Sequence, residues 1–219
     1  MYRSVLLVNV GDNPDRPRPG RLWLHNSYRV HQRICMAFPS KQRIQADAHF
    51  LKPYDPSDFS AEQVHISRTP TNGFLFRIDP LPGNSVVILV QSAIYPDWDY
   101  AFANAMHLLA APPQVVEYEI NVQAGEEYVF CLLANPTRKI DTKTGPDGKK
   151  NNGRRVPVKF EKLVEWLENR SRDGGFELNR ENISIETSYV YWCKDKSQGT
   201  KRFFAARYRG VLTVKEPKR

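Results

Sequence analysis

Cysteine is scarce in this chain and unpaired in pattern: Cys35, Cys131 and Cys193 are scattered, with no CxxC. Such usage excludes a disulfide scaffold and fits a reducing compartment where thiols act as small apolar residues. Histidine is equally dispersed over His25, His31, His49, His65 and His107, with no HxxxH or HExxH. No metal-ligand spacing results, and the reading calls for no metal and no cofactor. No apolar run approaches the ~20 residues of a membrane span. The opening apolar segment is too short for a signal peptide, so a cytoplasmic protein without membrane contact is expected. A Gly-rich phosphate loop, a paired-carboxylate motif and a Ser–His–Asp arrangement are also missing, which sets aside nucleotide hydrolases and acyl transferases.

What is present is positive charge on an ordinary globular background. Hydrophobic residues make up 41% and charged residues 26% of the 219, enough to bury a real core. The formal net charge is +8, which points to a polyanionic partner, nucleic acid before membrane, against the plainer reading of a basic soluble protein.

Tyr2 to Val8 reads as a first strand, and the proline-rich stretch Gly11 to Gly20 as loop. Ser27 is the expected N-cap of a helix whose Val30, Ile34, Ala37 and Phe38 form an apolar stripe, stopped by Pro39. Residues 40–72 are polar and turn-rich, an insertion expected to hold little regular structure. Two strands, Phe74 to Ile78 and Val86 to Ser92, flank a proline-rich turn. Trp98, Tyr100 and Phe102 form an aromatic cluster whose default role is packing. Ala110-Ala111-Pro112-Pro113 is the expected domain boundary, giving domains 1–111 and 112–219. Beyond it come an extended segment from Val115, a strand Glu127 to Ala134, and a basic loop Thr137 to Arg155. A helix with Phe160, Leu163, Val164 and Leu167 on one face then ends at Gly174-Gly175. The strands Ile183 to Trp192 and Phe203 to Val214 form a hairpin with a lysine-rich turn. Strand, helix, strand, strand thus occurs twice. The expected fold is α+β, two tandem ferredoxin-like (RRM-like) domains, the second lacking its last helix and strand.

Tyr28 and His31 stand three residues apart on the first helix, so their side chains share a face. A phenol beside an imidazole can move protons around a reacting phosphate without a metal. His31 lies at the border of the apolar stripe, where a plain polar-rim role is the competing reading. Tyr28 is equally readable as an amphipathic cap on the helix. Arg29, Arg33 and Lys41 are nearby cations able to neutralise a phosphorane, though a solvated helix face suits Arg29 and Arg33 as well. Lys194, Lys196, Lys201 and Arg202 on the hairpin turn could straddle phosphates or serve solubility. Arg138, Lys139, Arg154 and Arg155 carry the same ambiguity between a nucleic-acid stem and a neighbouring subunit.

Several segments together resemble the CasE-type CRISPR endoribonucleases: Tyr2 to Val8, Tyr28-Arg29-Val30-His31-Gln32, Val86 to Ser92 with Pro96-Asp97-Trp98, Leu133-Ala134-Asn135-Pro136-Thr137 leading to Arg154-Arg155-Val156-Pro157, Val164-Glu165-Trp166-Leu167, and Tyr208 to Val214. They run in order along nearly the whole chain. The resemblance implies metal-independent cutting at the 3′ base of a CRISPR-repeat hairpin in precursor RNA, with attack by a 2′-hydroxyl and a 2′,3′-cyclic phosphate product. It places the catalytic histidine on His31 and its supporting tyrosine on Tyr28, assigns stem contacts to the Lys194–Arg202 turn, and implies retention among other Cascade subunits. Family members continue past the last strand with a helix and a glycine-rich loop that do not follow Val214 here. A hairpin-RNA-binding scaffold without catalysis is the rival reading; a generic tandem RRM protein is more distant, since no RNP1-like aromatic octapeptide occurs.

Overall fold

The computed structural model describes residues 1–11, 19–51, 61–69, 71–82, 85–140, 155–194 and 199–217. The chain divides into two units, the first of Met1–Ile120 with Tyr191–Lys201, the second of Asn121–Val190 with Arg202–Arg219.

In the first unit, β1 (Tyr2–Val8), β2 (Phe74–Pro80), β3 (Val86–Ser92) and β4 (Gln114–Glu117) form one sheet in the order β2-β3-β1-β4. Every pairing is antiparallel, with Leu6 opposite Ile88, Arg3 opposite Val116 and Phe76 opposite Val90. Alternation puts Ser4, Leu6 and Val8 on the buried face of β1. Against that face lie α2 (Ser27–Cys35) and α5 (Trp98–Phe102), through Val30, Ile34, Trp98 and Phe102. Trp98 donates its indole N–H to Ser4 Oγ at 2.9 Å, so the one polar group on that strand face is satisfied. With β4 in place the unit is a complete βαββαβ ferredoxin-like fold.

The division between units therefore falls after Ile120 and not at residue 111. Pro112 and Pro113 lead into an edge strand: Leu109 bridges Val8, Ala110 donates to Leu7 O at 2.8 Å, and β4 then pairs with β1.

The insertion is more ordered than its composition indicates. Helices α3 (Lys41–Ala46) and α4 (Ala61–Val64) within it, like α1 (Pro19–Leu24) ahead of it, are too short to show a periodic stripe. Gly20 opens α1 against β1's exit, where a Cβ would collide with the carbonyl oxygen of Asn9. On α3 the guanidinium of Arg43 is sealed at 1% exposure, paired with Asp47 at 3.0 Å and donating to Tyr100 Oη at 2.9 Å. Tyr100 in turn donates to Asp47 O.

The second unit holds β5 (Glu127–Ala134), β6 (Thr137–Lys139), β7 (Arg155–Pro157), α6 (Leu163–Asp173), β8 (Phe176–Leu178) and all but the hairpin ends of β9 (Ser184–Trp192) and β10 (Lys201–Val214). β10 is central, flanked by β5 on one side and by β8 and β9 in succession on the other. α6 covers one face with Leu163 and Leu167 against Ala206 and Tyr208. Burial pushes the Tyr208 phenol up to about 12, and its hydroxyl donates to Leu163 O. Gly175, at φ 74°, takes the left-handed conformation that ends α6. Phe160, expected on the helix's apolar face, sits instead in a preceding 3₁₀ turn and is 63% exposed. The ends of the expected basic loop pair as β6 and β7, placing Lys139 opposite Arg155.

Removing one partner of the sealed Arg43–Asp47 pair should be expensive. Asp47→Ala is expected to lower unfolding free energy in urea by about 3–5 kcal/mol. Glu186→Ala, which breaks the exposed Arg209 pair at 3.3 Å, should change it by less than ~1 kcal/mol.

Candidate active site

α2 starts one residue earlier than the sequence indicates. Asn26, not Ser27, is the cap: its Oδ1 accepts from Tyr28 N at 3.1 Å. An asparagine has donors left over after capping, and Asn26 Nδ2 donates to Cys193 O at 2.9 Å while Oδ1 also accepts from Cys193 N at 3.2 Å. The hairpin tip, residues 191–201 of the same unit, is thereby tied to the helix start.

With Val30 and Ile34 fully buried, the helical period places Tyr28, His31 and Cys35 along one flank of α2. His31 stands among rings: Trp192 at 5.8 Å, Phe74 at 5.9 Å and Phe76 at 6.2 Å between centroids. Tyr28 packs on the same Trp192 at 5.0 Å. At the imidazole's edge lies Arg68, whose Nη2 reaches both ring nitrogens, 3.2 Å from Nδ1 and closer to Nε2, and Cys35 Sγ at 3.4 Å. The Arg68 guanidinium also sits 4.4 Å over the Phe74 ring. A guanidinium can only donate, so the imidazole facing it accepts and is neutral.

Electrostatics agree with that geometry. Burial among the rings, then the charge of Arg68, then His65, lower the His31 pKa to about 4. Burial raises the Tyr28 phenol, keeping its proton at neutral pH. Burial likewise raises the Cys35 thiol, against the pull of Arg68. The flank thus presents an imidazole acceptor, a phenol donor and a fixed positive charge. Among the described residues no group of three His, Cys, Asp or Glu side chains is placed to hold a metal ion, and no helix is long and apolar enough to cross a membrane.

The other expected site residues distribute unevenly. Arg29 and Arg33 project from the opposite flank, about 160° around the helix from His31. Arg33 donates to Ala101 O at 2.8 Å and Asn104 Oδ1 at 2.9 Å and packs against Phe50 and Phe102, which gives it a structural role. Arg29 is exposed and borders a 510 Å³ cavity on that side. Lys194 and Lys201 are exposed on the hairpin tip of the first unit. Arg202 lies in the second unit, over the Tyr189 ring at 4.3 Å. Arg138, Lys139 and Arg155 are exposed on the β6–β7 ladder of the second unit. Arg154 and Lys196 lie outside the described residues.

Arg68 and Trp192 were not legible as site residues. Arg68 reaches His31 because Ile66 N donates to Phe38 O at 2.9 Å and His65 bridges Pro39, a long-range pairing without a local signature. Trp192 did carry a signal, an aromatic two residues ahead of a lysine-rich turn.

A family model described as CRISPR associated protein matches residues 1–219. The chain belongs to the CRISPR-associated protein family. Among curated proteins, the CRISPR-associated endoribonuclease Cse3 of Thermus thermophilus is 31% identical over 109 residues, 48% of this chain. That match spans 44% of the relative's length. Among solved structures, CRISPR endoribonuclease Cse3 bound to a 19-nucleotide RNA superposes with TM-score 0.65 at 23% identity, covering 100% of this chain and 88% of that one. Cse3 of Thermus thermophilus bound to an RNA representing a pre-cleavage complex gives 0.61 at 21% identity, covering 100% and 88%. Cas6e of Escherichia coli K-12 gives 0.53 at 19% identity, covering 99% and 86%. The CasE-type family resemblance and the tandem ferredoxin-like fold are both borne out.

The lowered His31 pKa has a consequence for stability. Between about pH 6.5 and 4 the unfolded chain takes up a proton at this histidine that the folded chain refuses. Stability should fall as pH drops through that window, and His31→Gln should lose less of it between pH 7 and 5 in thermal melts.

Proposed function

We propose that this chain is a metal-independent endoribonuclease that cuts CRISPR repeat hairpins in precursor RNA and then stays in the Cascade complex with other subunits. The observation that carries the reading is the neutral His31 imidazole, with the Arg68 guanidinium at its edge and the Tyr28 phenol one turn back. Relatives named as CRISPR endoribonucleases support it.

The chemistry follows from the three groups. His31, unprotonated at pH 7, takes the proton of a ribose 2′-hydroxyl as its oxygen attacks the adjacent phosphorus. The new O2′–P bond forms as the P–O5′ bond breaks, leaving a 2′,3′-cyclic phosphate. The 5′-oxygen leaves as a hydroxyl, protonated by the imidazolium or by water. Arg68 offsets the charge gathered on the pentacoordinate phosphorane, and Tyr28 donates a hydrogen bond to it. A phosphate seated between Arg68 and His31 also neutralises the cation that depresses the imidazole, returning its basicity toward the range useful near neutral pH. Lys194 and Lys201 of the hairpin tip, with Arg202, Arg138, Lys139 and Arg155 of the second unit, supply phosphate contacts to the stem. Shape and backbone contacts dominate there because A-form RNA hides its major-groove edges.

Repeat-hairpin RNA incubated with excess EDTA should be cut once, at the 3′ base of the stem, leaving a cyclic phosphate. His31→Ala should slow single-turnover cutting by about 10²–10⁴-fold, and Arg68→Ala by about 10²–10³-fold with partial recovery in Arg68→Lys. Tight binding without cutting by the unmodified chain would replace the nuclease with a hairpin-RNA scaffold. Replacing Lys194 and Lys201 together should flatten the log–log salt dependence of binding by about 0.7–0.9 per lost contact.

A further inference from the structure

His25, just ahead of the cap, and Tyr28 and His31 on α2 each face an aromatic ring of the hairpin tip. His25 stacks on Tyr191 at 5.9 Å and 8°, while Tyr28 and His31 both meet Trp192. The tip is held there by backbone rather than by side-chain fit, since Asn26 pairs with both the N–H and the C=O of Cys193. Such a contact fixes where the neighbouring indole stands whatever the rest of the tip does. Trp192 is nevertheless not a core residue. It is only half-buried, and its indole N–H makes no hydrogen bond to a described residue. Lys194, two residues on, and Lys201 of the same tip are exposed and pair with no carboxylate among the described residues. An anchored, partly open indole on the same tip as exposed cations is the arrangement that binds unpaired nucleotides, with cations on the backbone and the ring on a base face.

We propose that Trp192 is the stacking platform for a nucleobase flanking the scissile phosphate, and that Asn26 is the positioning residue that holds the platform against Tyr28 and His31. The inference rests on the nuclease reading for the position of the cut, and it adds what selects that position. A base seated on Trp192 sets its own ribose and phosphate beside His31. A paired base at the same place stays in its helix and cannot lie on the ring. The platform thus restricts cutting to a junction where one nucleotide is free to unstack, such as the foot of a hairpin.

The test uses the full chain and a repeat-hairpin RNA with a 2′-deoxy nucleotide at the cut, so that it binds without reacting. 2-Aminopurine replaces, in turn, the nucleotide on either side of the scissile phosphate. Binding to the unmodified chain should quench fluorescence at one of the two positions. Trp192→Ala should abolish that quenching and weaken binding by about 5- to 150-fold, while Trp192→Phe keeps most of both. Asn26→Asp retains the helix-capping oxygen but sets a carboxylate oxygen, with its negative charge, where the donor to Cys193 O stood; it should reduce quenching with the indole still present. Equal quenching and affinity in Trp192→Ala would overturn the platform. The two readings fail separately. Quenching by a chain that never cuts the natural RNA keeps the platform and removes the nuclease; cutting at full rate by Trp192→Ala does the reverse.

Discussion

Val30 and Ile34 are completely removed from solvent, and their burial on the first sheet decides the rotational setting of α2. Each contributes about 1.5–3 kcal/mol of apolar burial, so turning the helix by one residue is not an available alternative. Once that setting is fixed, the two flanks of the helix acquire different chemistry. One carries Tyr28, His31 and Cys35 toward Trp192, Phe74 and Arg68. The other turns Arg33 inward to the end of α5. A helix of nine residues thus separates a flank of proton-accepting and proton-donating groups from a structural one with no residue shared between them.

On the proposed nuclease reading, the flank bearing His31 reconciles two demands that ordinarily conflict. An imidazole that must accept a proton has to be neutral, and one that must act near pH 7 cannot be too weak a base. Enclosure by three aromatic rings and the proximity of Arg68 secure the first demand in the free protein. On the nuclease reading proposed above, an arriving phosphate serves the second, because its charge cancels the repulsion from Arg68 only while substrate is present. The same guanidinium depresses basicity in the free protein and, on that reading, stabilises charge during reaction. Its effect depends on what lies between it and the ring.

Sequence periodicity made the strands and α2 legible because both are long enough to alternate or to stripe. The position of His31 at the edge of the Val30–Ile34 stripe was readable by counting 100° per residue. The same count separates Arg29 and Arg33 from His31, although proximity in sequence groups all three. What pattern alone did not disclose depends on pairing over distance. β4 belongs to the first sheet through β1, so the prolines before it mark an edge strand and not a linker. α1 and α3, six residues each, are too short for periodicity to register and are held by tertiary contacts. Ser27 lost the cap to Asn26 because only an amide can serve the helix and the Cys193 peptide together.

Arg68 shows why the polar insertion is built as it is. A guanidinium presented to His31 from a loose segment would spend most of its time elsewhere, at an entropic cost of about 1–2 kcal/mol for each backbone residue that must be ordered to hold it. The insertion is instead pinned along its described length. Ser40 N donates to Val64 O and Ile66 N to Phe38 O, which fastens the two ends to each other and to the end of the α2 region. Between them the sealed Arg43–Asp47 pair, joined by Tyr100, anchors α3 to α5. A buried ion pair adds little net stability over an apolar filling, but its directional bonds admit one arrangement. The polar side chains of α3 are thus held in directional bonds, while the backbone pairings of Ile66 with Phe38 and His65 with Pro39 set the place of Arg68.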